Sequence, residues 1–287
     1  MNTIKQNRAA SFLAVTLIYI AASAVGILVY LALDLPWWLS LLAADILATV
    51  FTFVFSLILQ NASVYDPYWS VQPIVITAAF ACYYGFTLYT ALILAAIALW
   101  GIRLTANWAY TFKNLTHQDW RYTMLHDTTG KFYPVINFVG IHLVPTLVVY
   151  AATLPAACVI REKSEGSLTA SLLLLLSLLA VILQGVSDIE MHTYRKNRTT
   201  SFIRVGLWRY SRHPNYRGEI LMWWGIGLSA AIATAHPTLL LGAFLNTVLF
   251  FSVSIPMADR RQSKKEGFSA YRAETRALLP IPRFKRK

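Results

Sequence analysis

A polar, basic and aromatic stretch at 206–219 separates two long apolar runs in the second half of the chain. It reads Gly-Leu-Trp-Arg-Tyr-Ser-Arg-His-Pro-Asn-Tyr-Arg-Gly-Glu. The His-Pro-Asn order favours a helix start, which places Glu219 in a first turn, where a carboxylate suits the helix dipole. A basic loop touching anionic lipid headgroups is the alternative. The clustered asparagine, tyrosines, tryptophan and histidine exceed what lipid attraction requires, so the stretch is the first candidate for binding a charged ligand.

Further polar side chains lie at the ends of, or inside, apolar runs. Asp188 and Glu190 end the run before this stretch, and Gln184 lies one helical turn before Asp188 on the same face. Their spacing is compatible both with ligand binding and with pairing to the arginines that follow. Arg103 lies inside another apolar run, with Trp100 one turn before it. An isolated arginine at membrane depth is expected to face the bundle and meet a carboxylate or a ligand.

Three acidic or histidine residues are open to a structural interpretation. Asp66 precedes a proline in a segment without lysine or arginine, where it is either a helix cap or a functional acid. Asp45 and His142 are single polar residues in apolar helices, and we interpret them as hydrogen-bonding residues of the bundle. The histidines, cysteines and acids show no spacing typical of metal ligands, so no metal site is predicted.

The composition is that of an integral membrane protein. Of the 287 residues 57% are hydrophobic and 13% are charged, and the mean hydropathy is +0.52. A soluble globular protein is thereby excluded. Both cysteines lie inside apolar runs and are interpreted as buried small hydrophobes. The formal net charge of +12 fits lysine and arginine retained on the cytoplasmic side, so nucleic acid is not an expected partner.

A membrane span needs about 20 apolar residues, and the runs predict an all-α polytopic bundle of eight helices, with seven or nine as alternatives. A single membrane domain, 1–287, is expected, with N-terminal helices at 10–60, a core at 61–258 and a basic cytoplasmic tail at 259–287. The predicted helices are Phe12–Leu33, Trp38–Leu59, Val71–Tyr84, Leu88–Tyr110, Val135–Ile160, Leu168–Ile189, Ile220–Ala235 and Leu239–Met257.

The distribution of lysine and arginine predicts the orientation. With the N-terminus in the cytoplasm, all but three of the 25 basic residues fall on that side. Arg161 and Lys163 fall opposite, and Arg103 lies within a helix. Both termini and the polar motifs are therefore predicted to face the cytoplasm, in a bacterial inner membrane or an endoplasmic reticulum membrane.

The stretch 206–219, followed by an apolar helix with a tryptophan pair, resembles the C-terminal signature of steroid 5-alpha-reductase-like membrane proteins. More narrowly, it resembles the DUF1295 branch of that group. The resemblance is specific from Gln184 to Pro282, looser from Asn61 to Tyr122, and absent from the first helices. A shorter core, Arg-His-Pro-x-Tyr-x-Gly, is shared with isoprenylcysteine carboxyl methyltransferases, so this motif alone does not choose between a reductase and a methyltransferase.

The reductase resemblance implies binding of NADPH without the Rossmann glycine fingerprint. Arginines suit its phosphates, and carboxylates suit its ribose hydroxyl and amide donors. Tyr216 and Trp223 offer flat surfaces near a ring, and Arg121, in the patch Asp-Trp-Arg-Tyr, is expected to complete the site. The positions matching the family's cofactor residues are Gln184, in place of an asparagine, with Asp188, Arg195, Arg204, Asn215, Glu219 and Trp223.

The same resemblance implies a catalytic group of Asp66, Trp100 and Arg103. Asp66 matches a glutamate that hydrogen-bonds the substrate carbonyl, and Trp100 replaces a tyrosine that donates to the same ketone. This replacement counts against a true 3-oxo-steroid substrate. The expected reaction is NADPH-dependent reduction of a carbon–carbon double bond conjugated to a carbonyl. The substrate would be a lipophilic steroid-, sterol- or isoprenoid-like molecule, and Asp66 would need a raised pKa to act as the acid.

Two other functions stay open. A membrane methyltransferase using S-adenosylmethionine would carry a Glu-Glu pair before the terminal tyrosine, and the segment from Ala258 to Tyr271 has none. The presence of Glu219 also counts against the methyltransferase. A non-enzymatic lipid-binding protein would bind no nucleotide at all. Substrate and membrane lipids are the expected partners, and the sequence does not predict an oligomeric state.

Overall fold

The structure, a computed structural model, describes residues 2–281. Over this range the chain is helical and contains no β-strand, which confirms the predicted all-α bundle. A lone bridge joins Ser211 and Arg276. Pro282 and the rest of the predicted basic tail lie outside the described residues.

Eight long helical segments make up the bundle, and a short helix, Asn2–Gln6, precedes them. Single 3-10 turns at Ala62–Tyr65 and Gly206–Arg209 occupy two of the connections. A second short helix, α9 (Phe268–Glu274), follows the long segments. The long segments are α1 (Arg8–Ala32), α2 (Trp37–Ile58), α3 (Tyr68–Tyr84), α4 (Leu88–Thr111), α5 (Trp120–Arg161), α6 (Leu168–Lys196), α7 (Pro214–Thr234) and α8 (Pro237–Gln262).

Each of the eight predicted apolar runs falls within, or within two residues of, one of these segments. Six of them, α1, α2, α4, α5, α6 and α8, are long and apolar enough to cross a membrane, so the chain is an integral multi-pass membrane protein. The predicted runs Val71–Tyr84 and Ile220–Ala235 are shorter than a span, and they belong to helices that begin earlier, at Tyr68 and at Pro214. Helix α5 is longer than predicted because it begins at Trp120 and reaches the predicted run through a 3-10 turn, Gly130–Phe132. A π-helical segment, Asn137–Leu143, lies within that run.

Helix α7 lies in the middle of the second half of the bundle. It packs along α6 and also contacts α5 and α8. Met222, Ile226 and Ala230 are fully buried, because this helix faces protein on most sides. A Cβ at Gly218 would lie 2.4 Å from Gln184 Cγ and 2.8 Å from the Ala180 carbonyl oxygen, so only glycine permits this approach of α7 to α6.

The start of α7 differs from the prediction by one turn. Pro214 occupies the first helical turn and His213 is the capping residue. A proline suits this position because its missing N–H would be unpaired there anyway. Glu219 therefore lies in the second turn, directly beside Gly218 and the α6 contact, and not in the first turn at the dipole.

Candidate functional site

A charged network joins α4, α6 and α7 inside the bundle. The Arg103 guanidinium donates hydrogen bonds to Asp188 Oδ2 and to Gln184 Oε1. Its Nη2 also lies 3.9 Å from Glu219 Oε2. The structure thus gives the isolated arginine the carboxylate partners that its depth requires. Gln184 and Asp188 point the same way, as their spacing of one helical turn predicts.

Glu219 is held between two indoles. Trp100 Nε1 donates to Glu219 Oε2 at 2.8 Å, and Trp223 Nε1 donates to Glu219 Oε1 at 2.9 Å. The two rings pack edge to face with centroids 4.9 Å apart. Glu219 is 5% exposed, and both tryptophans are buried. The indole N–H of Trp100, which was expected to face a substrate ketone, is therefore committed to Glu219.

Asp66 belongs to a different cluster. It follows the 3-10 turn Ala62–Tyr65 and precedes α3. Tyr122 donates a hydrogen bond to Asp66 Oδ1, and Arg121 Nη2 lies 3.8 Å from the same oxygen. Arg121 Nε in turn donates to Asp119 at 2.8 Å. Burial raises the pKa of Asp66 to about 6, although Arg121 opposes the shift. The raised pKa expected of a proton-donating carboxyl is therefore present.

The three predicted catalytic residues do not form one contact group. Asp66 lies with the start of α5, whereas Trp100 and Arg103 lie with α6 and α7. Trp69 connects the two clusters, because it follows Asp66 by three residues and its ring lies 5.9 Å from the Trp100 ring. Trp100 contacts Glu219, and Arg103 contacts Asp188, within the charged network.

A polar cleft with a volume of about 490 Å³ opens beside the charged network. It is lined by the ends of α4, α6, α7 and α8, by the connection before α7, and by α9. The predicted cofactor residues that line it are Asp188, Arg195, Asn215 and Tyr216.

The other predicted cofactor residues lie outside the cleft lining. Gln184, Glu219 and Trp223 belong to the network behind Asp188. The Arg204 guanidinium lies over the rings of Phe202 and Tyr271, at 5.2 and 5.4 Å from their centroids, and Arg121 lies with Asp66.

Five arginine and lysine side chains line the cleft, and one of them, Arg212, is paired with Asp259. The other four are Arg195, Arg198, Arg261 and Lys265. Within residues 2–281 none of the four has a carboxylate oxygen within 4.0 Å. Burial lowers the pKa of Lys265, and the charges of Arg198, Arg261 and Arg195 lower it further. Four cations that line one cleft without a carboxylate oxygen within ion-pair distance in the described residues form a site for a polyanion.

Lys265 lies in the predicted basic cytoplasmic tail, and the sequence did not single out Arg198 or Arg261. The structure brings the three side chains to one cleft, because the chain after α8 folds back over it. The sequence shows basic residues in two separate segments, and their spacing does not indicate that the two segments meet in the fold.

Two amide side chains in the cleft have unpaired oxygens. Asn215 Oδ1 and Gln262 Oε1 are buried and accept no hydrogen bond from the described part of the chain. A buried acceptor without a donor is unfavourable, so both oxygens suit a ligand that brings N–H or O–H groups. Tyr216 adds a flat ring, and His213 stacks on it with centroids 5.0 Å apart.

The Arg-His-Pro core holds the C-terminal segment in place. Arg212 Nη2 and His213 Nε2 each contact Asp259 at 2.9 Å. Arg212 also donates to the Thr275 carbonyl, and the backbone N–H groups of residues 212 and 213 donate to the carbonyls of residues 276 and 277. Arg212 and His213 are each 6% exposed. These two residues therefore close one wall of the cleft.

A family model described as "Protein of unknown function (DUF1295)" matches residues 52–275. The chain belongs to the DUF1295 family. The match contains Asp66, the charged network and every residue that lines the cleft. Helix α1 and the first part of α2 precede the part of the chain that DUF1295 covers.

Among curated proteins, the chain is similar to uncharacterized protein C594.04c of Schizosaccharomyces pombe. The two are 27% identical over an alignment of 229 residues, and the match covers 69% of this chain and 66% of the yeast protein. The chain thus spans just under two thirds of the length of that relative. No solved structure matches this DUF1295 protein.

Proposed function

We propose that this protein is an NADPH-dependent membrane reductase. Its reaction would be the reduction of a carbon–carbon double bond conjugated to a carbonyl in a lipophilic steroid-, sterol- or isoprenoid-like substrate. The observation that carries the proposal is the cleft, where four cations without carboxylate partners and two unpaired amide oxygens surround one space. The proposal includes a cleft that faces the cytoplasm, since lysine and arginine concentrate on that side.

The residues of the cleft fit the parts of NADPH. Four cations, Arg195, Arg198, Arg261 and Lys265, suit its phosphates. Arginine forms bidentate hydrogen bonds with phosphate oxygens, and lysine adds a point charge. Asn215 and Gln262 suit its amide or amino donors. The volume of about 490 Å³ lies within the range of small-molecule sites. When bound, NADPH would supply the hydride to the β carbon of the substrate.

Asp188 would bind a ribose hydroxyl. It lines the cleft, and the hydrogen bond from Arg103 fixes its Oδ2, which leaves Oδ1 to accept from a ligand. Glu219 keeps Arg103 and the two indoles in place behind it. The network would therefore orient Asp188 toward the cofactor. Gln184, Glu219 and Trp223 would not touch the cofactor themselves.

Asp66 would donate the proton that polarises the substrate carbonyl. With a pKa of about 6, the carboxyl is protonated in about one molecule in ten at pH 7. A lipophilic substrate that displaces water would raise this fraction. The Asp66 cluster adjoins the cleft, because the guanidinium of Arg261, which lines the cleft, lies 4.1 Å from the ring centroid of Trp120, the neighbour of Arg121 in sequence.

Thermal unfolding of the detergent-solubilised full chain with added nucleotide tests the proposal. NADPH at one hundred times its dissociation constant should stabilise the protein by about 2.7 kcal/mol, whereas S-adenosylmethionine should have little effect. Lys265→Ala should weaken NADPH binding by about 1.5–3 kcal/mol, because a charge-assisted contact is lost.

The neighbouring Lys264 provides the matched control, since it is exposed and lies outside the cleft lining. Lys264→Ala removes the same charge and should leave NADPH affinity unchanged. Equal weakening by both substitutions would mean general attraction to a basic surface. Stabilisation by S-adenosylmethionine alone would establish the methyltransferase instead, and stabilisation by neither nucleotide would favour a non-enzymatic lipid-binding protein.

A further inference from the structure

A second cavity lies between α1, α2 and α3 and shares no lining residue with the cleft. Its volume is about 240 Å³. On α3 the lining extends from Tyr68 to Tyr84, which at the rise of an α-helix is a length of about 24 Å. The walls are apolar side chains, among them Ile27, Leu41 and Phe80. We refer to this cavity as the α1–α3 groove.

One end of the α1–α3 groove is polar. Gln72 Nε2 donates to Asp45 Oδ2 at 2.5 Å, and the Tyr68 hydroxyl donates to Asp45 Oδ1 at 3.3 Å. Asp45, Gln72 and Tyr68 are 4%, 7% and 6% exposed. No cationic side chain within the described range lies within 4.0 Å of Asp45. The interpretation of Asp45 as a hydrogen-bonding residue of the bundle agrees with these contacts.

This polar end has one unused acceptor. Gln72 Oε1 is buried and receives no hydrogen bond from the described residues. Both carboxylate oxygens of Asp45 already accept donors, so the free acceptor is a neutral carbonyl oxygen. An unpaired buried acceptor inside a bundle is costly, and a neutral donor on an otherwise apolar molecule would satisfy it.

We propose that the α1–α3 groove binds an elongated lipid that carries a hydroxyl group. The hydroxyl donates to Gln72 Oε1, the unpaired oxygen of a side chain that lines the groove. The apolar body lies along α1 and α3. Asp45 holds the Gln72 amide through its N–H and thereby turns the carbonyl oxygen away from itself. Asp45 and α1 precede the residues that the DUF1295 model matches, so family membership does not supply this site.

The groove proposal does not depend on NADPH binding or on Asp66. Two sources of a hydroxyl-bearing lipid fit the groove, a sterol-like alcohol and a long-chain alcohol, and they share the donor that Gln72 requires. Binding can therefore be measured without cofactor, and its outcome is separate from that of the reductase proposal.

Photo-crosslinking of the full chain in phosphatidylcholine vesicles tests the proposal. The probes are a photoreactive, alkyne-bearing sterol alcohol, a photoreactive long-chain alcohol, and the methyl ether of each. At least one alcohol should label peptides from α1 or α3, and its ether should label them about three- to ten-fold less, the effect of one neutral hydrogen bond. The alcohol that labels identifies the source.

Gln72→Met keeps the length of the side chain and removes the acceptor. It should reduce labelling by the alcohol to the level of the ether. Gln60→Met is the matched control, since Gln60 is exposed and lies outside the groove lining, and it should label as the parent protein does. Equal labelling by alcohol and ether in the parent protein, or labelling outside α1 to α3, would overturn the proposal even if Gln72→Met fails to fold.

Discussion

Replacement of Glu219 should destabilise the bundle in proportion to the number of indole partners lost. Glu219→Ala removes the acceptor of both Trp100 Nε1 and Trp223 Nε1, and both rings are buried. A buried donor left without a partner costs about 1–3 kcal/mol. Two such donors predict a loss of about 2–6 kcal/mol in the free energy of unfolding.

Glu219→Gln should cost less, because the glutamine keeps one carbonyl oxygen. Its amide nitrogen would face the second indole N–H, so one donor loses its partner and the expected loss is about 1–3 kcal/mol. Both substitutions leave Arg103 and Asp188 as a charge-balanced pair. The variants therefore differ in the one indole donor that glutamine still satisfies, which keeps Glu219→Gln milder than Glu219→Ala.

Thermal unfolding in detergent, at one pH and one detergent concentration, measures the order of stability of the variants. Glu165→Gln is the control, since Glu165 is an exposed glutamate in the connection before α6. We expect the parent protein and Glu165→Gln to unfold together, then Glu219→Gln and Glu219→Ala at successively lower temperatures. A Glu219→Ala protein as stable as Glu165→Gln would show that the two indole hydrogen bonds do not hold the helices together.

Four further outcomes follow from the structure. Asp66→Asn should keep NADPH-dependent stabilisation and lose turnover, and in the parent protein turnover should fall as pH rises above about 6, because the protonated carboxyl is the donor. Gly218→Ala should lower the unfolding temperature and weaken NADPH binding, because the new Cβ would lie 2.4 Å from Gln184 Cγ on α6. Gly140→Ala should do neither, because its Cβ would lie 3.8 Å from the nearest side-chain atom, Ile136 Cγ2. Arg212→Ala should free the segment around α9 and make it sensitive to limited trypsin digestion, with an unchanged digestion pattern arguing against the clamp. A reporter fused after Lys287 should be found in the cytoplasm, and an external reporter would displace the proposed cofactor site from its nucleotide supply.

The helices were predictable because the bilayer sets their length. Apolar runs as long as a span have few alternatives to a membrane helix, and six of the eight runs lie in helices long and apolar enough to cross. The two shorter runs, Val71–Tyr84 and Ile220–Ala235, also lie in helices. The partner type of Arg103 was predictable for a similar reason, since an arginine at membrane depth needs a carboxylate. Asp188, which the sequence placed at the end of another helix, proved to be that carboxylate.

The remaining contacts could not be predicted, because they join residues that are far apart in sequence. Trp223 lies one turn from Glu219 and could be anticipated, but Trp100 reaches the same carboxylate from 119 positions away. The family tyrosine and Trp100 occupy matching positions, yet the indole turns its only donor to a buried glutamate. If Asp66 polarises the substrate carbonyl, it must therefore do so without a second donor from Trp100. A neutral indole cannot release a proton as a phenol can, so the low protonated fraction of Asp66 at pH 7 would limit the rate, and activity should follow the titration of that single carboxyl.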